Sequence, residues 1–225
     1  MSFISCEFAA FFAASLLLYY LLPKKWQPYV LLAASVVFYL FSGIANAIYV
    51  TVSSVVTFFC ALGAAKTAAS FAARSGELKK TLPKEEFKKE QSKNARKKKF
   101  FVSAAVITDL GILAVLFYLN FVLENVFAIA GKNFTALKLA VPLGLSFYTF
   151  AAVGYVVDVG RGKYQAERNF AKFALFMTYF PHVTNGPIPR YEKISPAFSA
   201  PHSFDPASFA DGLRLALWGV FKQLV

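Results

Sequence analysis

Between Tyr29 and Ala65 the chain runs for 37 residues without a charged side chain. As a single helix this stretch would be roughly 55 Å long at ~1.5 Å per residue, nearly twice the hydrocarbon thickness of a bilayer. It therefore reads as two spans. The break falls at Ser42-Gly43-Ile44-Ala45-Asn46, where glycine favours a turn and asparagine a cap. The second span then covers about Tyr29 to Phe41 and the third about Ala47 to Phe71. Hydrophobic residues make up 57% of the chain and occur in long runs rather than in alternation with polar ones, which a soluble domain does not sustain. The expected fold class is an all-α, polytopic membrane helical bundle with re-entrant or broken helices, forming one domain over residues 1–225.

The formal net charge of +12 would suggest nucleic acid in a soluble protein. Here the basic residues lie between apolar segments, so a membrane surface is the better partner and nucleic acid is excluded. A first span, Phe3 to Leu22, is closed by Pro23 and followed by Lys24 and Lys25. Nothing basic precedes it, the reverse of a cleavable signal peptide, and the lysines place the N-terminus outside. Residues 72–99 read as a basic cytoplasmic loop, with eleven Lys or Arg against four Glu and Pro83 as a possible helix start. A fourth span, Phe100 to Ala130, carries Asp109, Asn120 and Glu124 on one face, as helix-packing contacts or as a proton relay. Gly131 to Leu139 is then an outer loop, and the fifth apolar element, Val141 to Val159, returns to Arg161, Lys163, Arg168 and Lys172. Basic clusters fall consistently on one side.

The stretch from Val141 to Tyr191 is the best functional candidate. It is apolar enough for lipid, yet it carries a charged patch (Asp158, Arg161, Lys163, Glu167, Arg168) and then Pro181, Gly186, Pro187 and Pro189. No continuous helix passes through Gly-Pro-Ile-Pro. A broken backbone at membrane depth must be buried in protein or line a wet cavity. His182, Asn185, Gly186, Pro187, Arg190 and Tyr191 are therefore the substrate-channel candidates. Asn169 to Phe180 reads as helix and Glu192 to Pro206 as a polar stretch. Asp205 reads as N-cap and Pro206 as N1 of a last element that stops at Val225 in mid-pattern, as expected of a piece of something longer. Cys6 and Cys60 read as small core hydrophobes, and no metal or disulfide framework is visible.

Taken together, Leu-Leu-Pro-Lys (residues 21–24), LLAASVVFYLF (31–41), PLGLSFYTF (142–150) with Tyr155 and Asp158, ERNFAKFALFMTYFPHVTNGPIPRY (167–191) and GLRLALWGVFKQLV (212–225) resemble the N-terminal half of the membrane-bound O-acyltransferase family. The bacterial branch of alginate O-acetylases and teichoic-acid D-alanyl transfer proteins fits best. The resemblance implies a partial membrane-bound O-acyltransferase fold, helices around a central funnel, and no bound cofactor. The reaction it implies takes an acyl group, expected to be acetyl, from a cytoplasmic thioester donor, an acyl-CoA or an acyl carrier protein. The acceptor is a hydroxyl of an extracytoplasmic polysaccharide or of a periplasmic or extracellular acyl-relay protein. The implied setting is the bacterial cytoplasmic membrane.

The family's catalytic histidine, a general base on the acceptor hydroxyl, is expected beyond Val225. The two histidines present do not match that position. His182 reads as a funnel-lining or helix-end residue, and His202 as a surface one. Arg190 pairs either with donor phosphates or with a loop carboxylate such as Glu192. Two alternatives remain open at this stage: a polysaccharide or lipid transporter, since transporters also build sites from broken helices, and a non-catalytic membrane subunit.

Overall fold

The computed structural model describes residues 5–139, 141–183 and 188–224, and every regular element among them is helical. Helix α1 (Cys6–Leu21) begins at Ser5, whose side chain accepts from the Phe8 N–H at 3.2 Å, and ends before Pro23. A 3₁₀ turn (Lys24–Trp26) leads into α2 (Gln27–Phe41). The expected break follows: Gly43, at φ 121°, adopts a backbone open to glycine and reverses the chain into α3 (Ile44–Thr81).

Helix α3 does not stop near Phe71. It continues to Thr81, turns at Leu82-Pro83, and returns as α4 (Lys84–Ile129). The segment 72–99 is thus not a loop but the two arms of a helical hairpin. Lys, Glu, Ala and Arg are strong helix formers, and only a proline, which cannot extend the preceding helix, interrupts them. Phe71 and Phe87 meet across the arms at 6.1 Å, and Lys93 pairs with Glu90 at 2.7 Å. Both α3 and α4 are long and apolar enough to cross a membrane.

The core is built where α3, α4 and α5 (Leu145–Arg161) pack together. Ala61, Ala64, Ala105 and Ala152 are almost wholly buried there, and such small side chains let helix backbones approach closely. Asp109, 1% exposed, accepts from the Ser53 hydroxyl at 2.6 Å and from the Thr57 hydroxyl at 2.7 Å. Asn120 does something else: its amide donates to the Leu137 carbonyl and accepts from the Leu137 N–H, pinning the segment after α4. Glu124 is exposed. Asp109 thus serves helix packing and Asn120 anchors a loop.

The fifth apolar element starts at Leu145 instead of Val141, because Gly144 sits at φ 70° and caps it. Helix α6 (Phe170–Thr178) is capped by the Asn169 side chain and ends early, at Tyr179, ahead of a 3₁₀ turn over Phe180–His182. The turn after α6 is held inside the protein, whereas Gly186 and Pro187 of the Gly-Pro-Ile-Pro break lie outside the described residues: the Phe180 N–H donates to the Ser35 hydroxyl of α2 at 3.3 Å, and the Phe180 ring packs on Phe11 and Phe38. The polar stretch after Tyr191 contains a further helix, α7 (Tyr191–Ser199), whose Tyr191 and Phe198 are buried. Beyond it the Gln27 side-chain amide clasps the His202 backbone with two bonds, of 2.8 and 2.9 Å. Helix α8 (Pro206–Leu224) begins as expected, with Asp205 accepting from the Ala207 and Ser208 N–H groups.

The Asp109 contact predicts an asymmetry. If Asp109 is replaced, Ser53 and Thr57 can fall back on carbonyls one helical turn earlier, as Ser54 already does with Val50. If both hydroxyls are removed, a buried carboxyl is left without donors. Ser53→Ala/Thr57→Ala should destabilise the protein by about 3 kcal/mol and Asp109→Asn by about 1 kcal/mol. Thermal unfolding in detergent reads the difference, and the reverse order would refute the assignment.

Candidate functional site

One end of α5 carries Tyr155, Asp158 and Arg161 in succession, then Gly162 turns the chain at φ 77°. The returning strand of coil brings Lys163, Tyr164 and Glu167 back beside it, and the first turn of α7 adds Tyr191 and Glu192. Between them opens a cleft of about 820 Å³. Its apolar wall is Phe150, Val153, Val157 and Ile188; its polar lining includes Asp158, Arg161, Lys163 and Arg190.

The cleft's floor is an aromatic nest. The Tyr155 ring lies 4.9 Å from Tyr191 and 6.0 Å from Tyr164, and Tyr164 lies 5.8 Å from Tyr191. Glu167 locks the nest together. Its backbone N–H donates to the Tyr155 hydroxyl at 2.9 Å, and its carboxylate accepts from the Tyr191 hydroxyl at 2.7 Å and from the N–H groups of Arg168 and Asn169 at 2.8 Å each. Partial burial pushes this carboxyl up. The Asn169 N–H, the Tyr191 hydroxyl and the Arg168 N–H, with the nearby Lys172 charge, outweigh that effect and hold it below the ordinary glutamate value.

At the rim, Lys163 lies between Glu192 at 2.7 Å and Asp158 at 3.5 Å. Glu192, bonded by Lys163, is held below its usual range, and the Lys163 ammonium is raised by the same bond. Arg190 contributes a nearby charge to Glu192 but makes no ion pair with it, so the expected Arg190–Glu192 pairing gives way to Lys163–Glu192. Arg161 and Arg190 are exposed and have no ion pair among the described residues. The rim thus offers two guanidiniums to an anion, above an apolar wall. Arg is suited to phosphate, which it can meet with two parallel donors.

Of the sequence candidates, Arg190 and Tyr191 line this cleft. Asn185, Gly186 and Pro187 lie outside the described residues. His182 is elsewhere, beside a small void lined by Phe147, Tyr148, Met177, Tyr179 and Val183, with its ring 5.1 Å from Tyr179. Its Nδ1 and the Tyr148 hydroxyl are buried without a partner among the described residues. His202 is not a plain surface residue: its backbone is held by Gln27 and its Nε2 lies 2.8 Å from the Ala197 carbonyl oxygen. Among the described residues no group of three His, Cys, Asp or Glu could hold a metal ion. Tyr164 and Glu167 join the site beyond the sequence candidates; Glu167 belongs to the charged patch, but its contact with Tyr191 joins positions 24 residues apart.

Several curated proteins resemble this chain. It is 32% identical over 129 residues, 55% of the chain and 26% of the relative, to a probable alginate O-acetylase, AlgI, of Azotobacter vinelandii. It is 25% identical over 154 residues, 57% of the chain and 29% of the relative, to a peptidoglycan O-acetyltransferase of Helicobacter pylori. It is 37% identical over 51 residues, 23% of the chain and 12% of the relative, to a teichoic acid D-alanyltransferase of Lacticaseibacillus rhamnosus. These relatives bear out the resemblance to the membrane-bound O-acyltransferase family drawn from the motifs. The matches span about a quarter of the length of the alginate and peptidoglycan relatives. No protein-family profile matches the chain, and no solved structure matches it significantly.

A carboxyl whose pKa is depressed by folding contributes stability above its unfolded value of about 4.3 and loses that contribution as the pH falls through the folded value. The melting temperature should therefore drop as the pH is lowered below about 4. Glu167→Gln should remove part of that drop while leaving the share due to Glu192. An unchanged pH profile for Glu167→Gln, followed by circular dichroism, would refute the Glu167 clamp.

Proposed function

We propose, from this chain's kinship with the membrane-bound O-acyltransferases, that it forms part of such an enzyme. The described helices then belong to a polytopic bundle in the bacterial cytoplasmic membrane, with the N-terminus outside and the basic segments in the cytoplasm. The cleft under Arg161 and Arg190 receives the acyl donor from the cytoplasmic side. The donor is a thioester of coenzyme A or of a carrier protein, both of which bring phosphate and a flexible, partly apolar arm. The acyl group, taken to be acetyl, goes to hydroxyls of an extracytoplasmic polysaccharide or of a relay protein that serves one.

The observation that carries this reading is the pair of unpaired guanidiniums over an apolar wall. Arg161 and Arg190 hold phosphate, the apolar wall takes the arm, and the Glu167–Tyr191 bond keeps the floor rigid while the donor exchanges. Neither His182 nor His202 lines the cleft, so neither is assigned the general base here.

Acyl transfer by the complete protein tests the reading. Each charge-assisted bond to phosphate is worth about 1.5–3 kcal/mol, about ten-fold or more in affinity. Arg161→Gln/Arg190→Gln should raise KM for the acyl donor at least ten-fold with kcat nearly kept. An unchanged donor KM would move the donor site elsewhere.

A further inference from the structure

A second cavity, of about 370 Å³, opens at the corner where four elements converge: the 3₁₀ turn after α1, the start of α2, the start of α6 and the end of α7. Its lining includes Lys24, Lys25, Tyr29, Lys172 and Ser199, and no carboxylate. The Lys172 ammonium donates to the Ser199 hydroxyl at 3.1 Å, which fixes it across the opening. Lys24 and Lys25 have no ion pair among the described residues. Glu167 feels the Lys172 charge but is itself satisfied by three donors.

The height of this cavity narrows the identity of its ligand. The last turns of α1 expose Leu17, Leu18 and Leu21, and that apolar face ends at Pro23, one residue before the lysines. Beside them Trp26 and Tyr29 are both exposed, edge to face at 5.9 Å. Amphipathic rings of this kind sit at the level of lipid headgroups. We infer that Lys24, Lys25 and Lys172 form a binding site for the phosphate of an anionic glycerophospholipid whose acyl chains lie along the exposed face of α1. Basic pockets between helices at the cytoplasmic surface suit such headgroups. The lipid bridges the α1–α2 corner and the α6–α7 segment, which flanks the donor cleft through Tyr191. The inference rests on the membrane placement proposed above, but not on the acyltransferase activity.

Native mass spectrometry of the complete protein, released from detergent with equimolar phosphatidylglycerol and phosphatidylcholine of matched chains, tests it. One lysine near an anionic lipid surface is worth a factor of about five, so wild-type protein should retain phosphatidylglycerol at least five-fold over phosphatidylcholine. Lys24→Gln/Lys25→Gln/Lys172→Gln should bring the ratio to about one. Lys97→Gln/Lys98→Gln/Lys99→Gln, which removes the same charge from α4, should keep it. Equal retention of the two lipids by wild type, or an unchanged preference in the first triple variant, overturns the site. Displacement of the lipid by water-soluble glycerophosphoglycerol at the same concentration would assign the pocket to a free phosphate instead and overturn the lipid. If the triple variant does not fold, Lys172→Gln alone should shrink the rise in melting temperature that phosphatidylglycerol gives wild type, and an undiminished rise overturns the site. Recovery of the protein in the soluble fraction without detergent would sink the membrane placement itself, whereas a detergent-requiring protein without lipid preference sinks only this site.

Discussion

Two hydroxyls one turn apart on α3 meet both oxygens of Asp109 on α4, and this contact fixes the register of the long hairpin. A stripe of alanines allows two helices to slide past each other, because each small side chain fits the next hole almost as well as its own. A buried carboxyl with two directed donors does not, since a shift of one turn would leave it unbonded in an apolar setting. Once α3 and α4 are locked, α5 packs against both of them, with Ala152, Val156 and Val159 buried.

Helix α5 then joins two sites. At its start, a Cβ on Gly144 would fall on the Val183 carbonyl oxygen, so the Pro-Leu-Gly turn and the segment after α6 are packed backbone to backbone. At its other end the helix supplies Tyr155, Asp158 and Arg161 to the cleft. The α6 segment is held at both ends, by Phe180 on Ser35 and by Phe173 against Tyr155 and Phe58. The cleft therefore has a stiff wall and floor, while its arginines stand free at the rim.

The apolar runs made the helices legible, and Gly43, Pro23, Asn169 and Asp205 marked several of their ends, because each acts through local backbone geometry. The hairpin is hard to see in the sequence for a physical reason: high charge is typical of a solvated loop, but the same Lys and Glu residues favour helix and Pro83 alone ends it. The α7 helix was hidden because its buried residues, Tyr191 and Phe198, are sparse in a polar stretch. At the cleft, Arg190 and Tyr191 were legible from the proline-rich motif. The roles of Glu167, Tyr164 and Lys163 were not, since each depends on a contact across a turn that no periodicity encodes.

The excess positive charge divides into kinds that the net value conceals. In the hairpin, glutamates interleave with lysines and the side chains point to solvent, so much of that charge is compensated or screened within a Debye length of about 8–10 Å. Around α5 and α7 one lysine is shared between two carboxylates, and Arg161 and Arg190 are the cations in the cleft lining without an ion pair among the described residues. At the α1–α2 corner no carboxylate lines the cavity among the described residues, and its three lysines make no ion pair there. The density of basic residues is greatest in the hairpin, yet its cavity lining includes Glu90, whereas the lining of the α1–α2 corner includes no carboxylate among the described residues. The proposed sites rest on where cations stand without a paired carboxylate rather than on the count of basic residues.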